Sequence, residues 1–285
     1  MADIQHGGFK RVWFITGASR GIGALIAEAA LADGNAVVAA GRNVGAIVER
    51  LGISPGLLPI ALDVTDEAQA KAAVRAAEEK FGRIDVLINN AGFGLMGAVE
   101  ESADKDVRHM YDTNVFGLLN VTRAVLPTMR ANRSGHVINI SSIGGYRGAA
   151  GFGVYSSTKF AVEGITEAMH DELKPLGIHA TVVEPGYFRT DFLDGSSLVV
   201  APDVIDDYDA TSGAVRRIAA QLNHKQPGDP TKLAAAMVAL VGAPNPPLRL
   251  PLGTDTLAAI AAKNDHVTRE TEAWKDLSAS TDFPA

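Results

Sequence analysis

Thr16-Gly17-Ala18-Ser19-Arg20-Gly21-Ile22-Gly23 joins an apolar run, Arg11 to Ile15, to a stretch of helical periodicity, Gly23 to Asp33. A strand that turns through glycines into a helix offers free backbone N–H groups and the positive end of the helix dipole, which attract an anion such as a dinucleotide pyrophosphate. Gly17 suits the tight turn, Gly21 the close approach of phosphate to backbone, and Gly23 the packing of helix on strand. Ser19, Arg20 and Ile22 complete the loop and are read with the glycines as cofactor contacts. A glycine-rich connector with no ligand would show the same pattern, so the rest of the chain has to decide.

Outward from this turn, Val- and Ile-rich runs alternate with helical stretches as far as about residue 184. Strands are predicted at Arg11 to Ile15, Ala36 to Ala39, Leu58 to Ala61, Val86 to Asn89, His136 to Ile140, Ala180 to Val183 and Leu248 to Leu252. Their nearly continuous apolar character marks strands buried on both faces. Helices are predicted at Gly23 to Asp33, Glu67 to Phe81, Asp104 to Arg130, Val154 to Leu173, Pro230 to Val241 and Asp255 to Lys263. The expected fold is α/β, a doubly wound parallel sheet of about seven strands with helices on both faces. Residues 1–285 are expected to form one domain, with a substrate cap at 187–228, where periodicity fades, and a polar tail at 264–285.

Composition removes several classes of function. A hydrophobic fraction of 47% with 21% charged residues excludes a disordered chain. A net charge of -7 without a basic cluster argues against nucleic acid. The absence of cysteine removes disulfides and thiolate metal sites, and cytoplasm is the default location. No signal peptide is read in MADIQHGGFKRVWF, no segment has 18 uninterrupted apolar residues, and no membrane association is expected. The seven histidines are scattered without ligand spacing, so no catalytic metal is expected. No G-x-x-x-x-G-K-[ST] occurs. Gly17, Ser19 and Gly21 also spell G-x-S-x-G, but a nucleophile elbow follows a central strand with earlier strands beside it, whereas this turn follows the first strand.

The second strand ends in Val37-Val38-Ala39-Ala40-Gly41-Arg42-Asn43, without the acidic residue that would accept from a ribose 2′-hydroxyl. Arg42 instead offers a guanidinium fork to a 2′-phosphate, with Arg20 approaching from the glycine loop, and NADP(H) is favoured. Two solvent-facing arginines are the plainer reading. Asp63 suits either an acceptor for the adenine amino group or a helix cap before Asp66. Asn43 and Val64, beside these residues, are counted among the cofactor contacts.

Tyr155-Ser156-Ser157-Thr158-Lys159 puts a phenol and an ammonium on one helix face. A phenol has a pKa of about 10. A cation about 5 Å away at an effective dielectric of about 20 contributes roughly 3 kcal/mol, or about two pKa units, toward acid–base use near neutrality. Ser142, at the end of the fifth strand, is placed to hold a substrate oxygen beside Tyr155. Asn114, polar within an apolar helical stretch, is placed to open the helix ladder to a water that relays protons to Lys159.

Over roughly residues 11 to 190 the chain resembles the short-chain dehydrogenase/reductase family. The shared features occur in family order: the glycine loop, Asn89-Asn90-Ala91-Gly92, Asn114, Ser142 with twelve residues before Tyr155, the Tyr155/Lys159 pair, and Pro185-Gly186 with Thr190. The resemblance implies a Rossmann-like fold and hydride transfer at nicotinamide C4. It implies Tyr155 as acid/base, Ser142 on the substrate oxygen, Lys159 on the nicotinamide ribose and Tyr155, and Asn114 on the relay water. It further implies that Asn90, Ala91 and Gly92 line the cofactor and that Pro185, Gly186 and Thr190 meet its nicotinamide end. The ending Arg-Leu-Pro-Leu-Gly-Thr-Asp departs from the Asp-Gly-Gly of tetrameric members, so a homodimer through the helices after Asp104 and Val154 is expected.

Phe93, Leu95, Met96, Ile143, Tyr146, Phe152, Tyr187, Phe188 and Phe192 flank the expected reaction centre and suggest an apolar pocket, although such residues also serve as core. The expected function is NADP(H)-dependent hydride transfer between nicotinamide and a carbonyl or secondary alcohol, reducing a hydrophobic ketone or aldehyde. The alternative is a non-catalytic NADP(H)-sensing protein, which would keep the glycine loop and lose the Tyr/Lys pair.

Overall fold

Every side chain of Val12 to Thr16 is buried, and this strand, β1 (Val12–Thr16), lies inside a parallel sheet. The computed structural model describes residues 8–283. Residues 1–7, part of the stretch read for a leader, and the last two residues of the tail lie outside it. The other strands of this sheet are β2 (Ala36–Gly41), β3 (Leu57–Ala61), β4 (Val86–Asn89), β6 (Gly135–Ile140), β7 (Ile178–Pro185) and β9 (Arg249–Leu252), in the order β3-β2-β1-β4-β6-β7-β9. Strand succession reverses between β1 and β4, whose carboxyl ends therefore border the crevice where an open α/β sheet takes its ligand. The register sets Trp13 beside Val37 and Val86, and Asn89 beside Asn139.

Strand alternation sends successive side chains to opposite faces, and each face has its own core. Phe14, Val38, Leu87 and Val137 pack under α3 (Glu67–Phe81), α5 (Leu118–Asn132) and α7 (Gly153–Leu173). Trp13, Ile15, Val37, Ile88 and Ile138 pack under α1 (Gly21–Ala32) and α9 (Pro230–Gly242). Because β3 and β9 are the sheet edges, they are only partly buried, unlike the central strands.

The helix expected over Asp104 to Arg130 is not uniform. It comprises α4 (Asp104–Tyr111), a wider π-helical turn at Asp112–Gly117, and α5. A further helix, α2 (Val44–Leu51), follows β2, started by the Asn43 side chain accepting from the Ala46 N–H at 3.0 Å.

The segment 187–228 is more ordered than its sequence suggests. It holds a 3-10 turn at Asp191–Leu193, β8 (Leu198–Val200) paired in parallel with β5 (Gly94–Met96), and α8 (Ala214–Leu222). Its two ends are stapled: Arg189 N–H donates to the Gly228 carbonyl, and Gly228 N–H to that of Tyr187, both at 2.9 Å. Buried Glu101 anchors its far side, accepting from the Ile205 N–H at 3.0 Å and pairing with Arg216. After β9, α10 (Thr254–Ala273) runs well past the expected end at Lys263, and α11 (Lys275–Ala279) follows. Among the described residues no helix is long and apolar enough to cross a membrane.

Candidate active site

The glycine loop forms as its spacing requires. A Cβ on Gly23 would lie 2.4 Å from both the Gly17 carbonyl and Asn90 Nδ2, so helix and strand meet at a point where only glycine fits. Gly21 differs: its φ is +57°, and a Cβ there would meet nothing within 4 Å. No side chain caps the start of α1, so its first N–H groups face this opening. An open cradle at an uncapped helix N-terminus fits a dinucleotide pyrophosphate. Ser19 and Ile22 line the same loop and are partly exposed.

Asn90 supports the loop from behind. Its Nδ2 donates to the carbonyls of Thr16 at 3.0 Å and Gly17 at 3.2 Å, while Thr16 Oγ1 accepts from the N–H groups of Asn90 and Ala91, each at 3.0 Å. The Asn90 side chain is therefore committed to the loop. Gly92, exposed, gives room to Asn114 Oδ1, which a Cβ would approach to 3.0 Å.

At the end of β2, Arg42 is exposed and makes no ion pair among the described residues. Arg20 turns elsewhere, donating to the carbonyl of Ser196 and so tying the glycine loop to the 187–228 segment. Asn43 is occupied as the α2 cap. Asp63 accepts from Thr65 N–H at 3.0 Å and Thr65 Oγ1 at 2.7 Å, and these bonds hold its carboxyl below the usual range. The cap of α3 is Asp66, which settles the cap half of the Asp63 alternative. Val64 is buried against Gly117, and its carbonyl accepts from Asn120 at 3.1 Å.

Asn114 sits inside the π-helical turn, a widening that recurs at functional sites. Its amide bridges elements: Oδ1 accepts from Phe93 N–H at 3.1 Å, and Nδ2 donates to the Phe93 carbonyl at 2.9 Å and to Thr158 Oγ1 at 3.2 Å. Ser142 begins α6 (Ile143–Tyr146), its Oγ accepting from Gly144 N–H at 3.1 Å. Pro185 ends β7, and Thr190 Oγ1 caps the 3-10 turn of Phe192 at 3.3 Å.

Tyr155 and Lys159 are both buried at 7% exposure. The Lys159 ammonium donates to the Ile140 carbonyl at 2.9 Å. Burial pushes the Tyr155 phenol up to about 12, with the adjacent Ser142 hydroxyl pulling against it, and pushes Lys159 down to about 8. This reverses the sequence-based expectation of a phenol lowered by its lysine. Desolvation is the largest influence on both buried groups, and the nearby Tyr187 adds to it at Tyr155. Phe152 and Phe192 stand 6.1 and 5.7 Å from the Tyr155 ring, ring centre to ring centre, and Phe93 and Leu95 complete this cluster. Of the other expected pocket residues, Tyr187 stays near enough to Tyr155 to raise its pKa and Ile143 follows Ser142, whereas Met96 packs with Leu198, Phe188 joins the core under α9, and Tyr146 Oη donates to Asn264 at 2.5 Å.

Residues 11–198 match the short chain dehydrogenase family. The chain belongs to it. This short chain dehydrogenase is 40% identical to the oxidoreductase BOA17 of Botryotinia fuckeliana over 95% of its own length and 99% of the relative's. It is 36% identical to a 3-ketodihydrosphingosine reductase of Bacteroides thetaiotaomicron, covering 85% and 88%. A solved short-chain dehydrogenase from Streptomyces avermitilis superposes with a TM-score of 0.89 at 39% identity, covering 96% and 99%. More distant structures of the fold hold NAD in one case, at 24% identity and TM-score 0.80, and NADP+ in a serine dehydrogenase, at 27% and 0.71. The chain is thus an oxidoreductase of a family whose members bind nicotinamide dinucleotides.

Two features of the structure escaped the sequence reading. Asp255 Oδ2 accepts from Tyr187 N–H at 2.8 Å, and a Cβ on Gly186 would lie 2.3 Å from that carboxylate, so α10 fixes the Pro185-Gly186 turn. A helix-opening Gly253-Thr254-Asp255 was the available signal. The histidines are also less isolated than their spacing suggests: His224 joins Asp191 and Asp194, with ligand-capable atoms within 4.8 Å of one another.

Proposed function

We propose that this short chain dehydrogenase is an NADP(H)-dependent oxidoreductase that reduces a hydrophobic ketone or aldehyde to the alcohol. The observation that carries the reading is Tyr155, with its phenol beside the Ser142 hydroxyl, Lys159 one helical turn on, and Phe152 and Phe192 against its ring. When bound, the nicotinamide dinucleotide supplies the hydride.

Gly17, Ser19, Gly21, Ile22 and Gly23 hold the pyrophosphate, with Arg20 tying that loop to the 187–228 segment and Asn90 and Ala91 bracing it. Arg42, exposed and without an ion pair among the described residues, supports a choice of the 2′-phosphate, with Asn43, Asp63 and Val64 forming the adenosine side. Gly92, Pro185, Gly186 and Thr190 border the nicotinamide end. Ser142 Oγ holds the substrate oxygen, and Tyr155 Oη gives it a proton. A phenol raised to about 12 stays protonated at neutral pH, as a donor must. Lys159, at about 8, retains a proton to return to that phenol, and Asn114 holds the relay side of the site. The similarity to a 3-ketodihydrosphingosine reductase supports an apolar ketone.

The same proposal takes the chain as one domain, with 187–228 as cap over the substrate. A homodimer is supported by Phe116 on the π-helical turn, 54% exposed, and Phe160 on α7, 45% exposed, on the helices expected to pair. The cysteine-free composition supports a cytoplasmic setting.

The test is oxidation of NADPH and NADH, followed at 340 nm, against a panel of hydrophobic ketones and aldehydes. Turnover preferring NADPH is expected. Tight NADPH binding without turnover on any of them would favour a nucleotide sensor instead.

A further inference from the structure

The segment 187–228 is fastened unequally to the two sides of the crevice between β1 and β4. On the β4 side its bonds are many. β8 pairs with β5, Gly94 N–H donates to the Ser197 carbonyl and Ala201 N–H to that of Met96, both at 2.9 Å, and buried Glu101 holds Ile205 and Arg216. From β1, β2 and the helices that follow them, a single hydrogen bond among the described residues reaches the segment. It runs from the Arg20 guanidinium to the Ser196 carbonyl.

The carbonyl that receives it is held in place by its neighbours. The Asp194 carbonyl accepts from the N–H groups of Ser197 and Leu198, both at 2.9 Å, so Ser196 lies within a closed turn that β5 grips through Ser197. Phe192, just before that turn, stands 5.7 Å from the Tyr155 ring, centre to centre, and a Cβ on Gly94 would meet it at 3.1 Å. The segment therefore reaches from the Tyr155 ring at one end to the glycine loop at the other.

Arg20 itself sits in extended backbone immediately before α1, between Ser19 and Gly21. Arg20 and Ser196 are both exposed, so water competes for their bond, whereas Glu101 on the opposite side is buried. The β1 side is thus the one on which the segment can come away while β5 and Glu101 keep hold of it.

We infer that Arg20 is the latch of a cap hinged on the β4 side: its bond to Ser196 closes 187–228 across the crevice and has to open for a nicotinamide dinucleotide to enter or leave. The inference rests on the proposed nucleotide site and specifies what Arg20 does there. Arg20 sets the rate of nucleotide exchange, and the choice between NADPH and NADH falls to Arg42.

Stopped-flow nucleotide fluorescence on the full chain reads association and dissociation separately. In Arg20→Ala both rates are expected to rise about three- to tenfold, the worth of one hydrogen bond, by the same factor for NADPH and NADH and with Kd nearly unchanged. Loss of a cation by itself slows the association of an anionic ligand, so faster association reports the opened cap. Arg20→Lys, which can still donate to a carbonyl, should stay nearer the parent. Association that is slower or unchanged would overturn the inference, as would dissociation that is faster for NADPH alone, which would make Arg20 a ligand of the 2′-phosphate.

The chain contains no cysteine, so Arg20→Cys combined with Ser196→Cys puts its only two thiols at the latch, where dibromobimane can bridge them. The bridged protein is expected to exchange either nucleotide more slowly than the same protein unbridged. Failure to bridge, or exchange at an equal rate, would overturn the latch even if Arg20→Ala does not fold. Both readouts need a nucleotide and no carbonyl. A chain that exchanges nucleotides in this way but turns over no carbonyl would lose the proposed reaction and keep the latch.

Discussion

The Lys159 ammonium stands 5.8 Å from the centre of the Tyr155 ring while it donates to the Ile140 carbonyl. The lysine is thus anchored to the end of β6 and meets the phenol through space and without a hydrogen bond. Each group is displaced by burial toward its neutral form, the phenol upward and the ammonium downward. A charge brought into this enclosed site has little water to screen it, so the pair responds strongly to a bound ligand.

Tyr155→Phe removes only Oη and keeps the ring that packs between Phe152 and Phe192. Its fold and its affinity for NADPH, read by nucleotide fluorescence, are expected to match the parent. Turnover should fall by about 100-fold or more, the order expected for loss of acid–base catalysis. Near-normal turnover would remove Tyr155 from the chemistry.

Two glycines of one loop are expected to fail differently. Alanine at Gly23 would press on the Gly17 carbonyl and Asn90, so Gly23→Ala should lower the melting temperature and nucleotide affinity together. Gly21 has open space but a left-handed φ, so Gly21→Ala costs about 1 kcal/mol of backbone strain and puts a methyl where phosphate would approach. Its nucleotide affinity should therefore fall more than its stability. Thermal melts with and without NADPH separate the two cases; equal behaviour would mean that Gly21 does not face the ligand.

The central strands were legible because β1, β2, β4, β6 and β7 are buried on both faces and read as apolar runs. The Tyr155/Lys159 pair was legible because a helix converts a spacing of four into one face. The π-helical turn was hidden because Asp112–Gly117 keeps a helical pattern of residue types while its hydrogen bonds change. Arg249 meets Glu163 and Glu184, and Asp255 meets Tyr187 from 68 positions away, only once β9 and α10 pack beside β7. The elements of 187–228 are short and depend on partners such as β5. The end of α10 was missed for the opposite reason: beyond the contact of Tyr146 with Asn264 its side chains are exposed, so its apolar periodicity thins although no helix breaker intervenes.

Arg42→Ala tests the nucleotide choice. An exposed guanidinium that binds a 2′-phosphate forms charge-assisted hydrogen bonds of about 1.5–3 kcal/mol, or roughly a ten- to hundredfold change in affinity. The loss is expected for NADPH, with NADH nearly unaffected, in paired fluorescence titrations. Equal losses for both nucleotides would leave Arg42 without a part in discriminating them.

His136 gives the fold a dependence on acid that lies apart from the site. Its Nε2 lies 2.9 Å from Thr181 Oγ1, whose own hydrogen goes to the Pro247 carbonyl at 2.6 Å, so the histidine must donate through Nε2. Burial, with smaller contributions from His179 and Arg11, lowers its pKa from 6.5 to about 3. Between these values the unfolded chain binds a proton that the folded chain refuses. The contribution to stability is therefore fully present above pH 6.5 and is lost progressively as the pH falls toward 3. At pH 5 the loss is about 2 kcal/mol. His136→Gln keeps a donor for Thr181 but does not titrate, so urea midpoints at pH 7.5 and pH 5 should lie closer together in the variant than in the parent. Identical shifts in both proteins would place the acid sensitivity at another group.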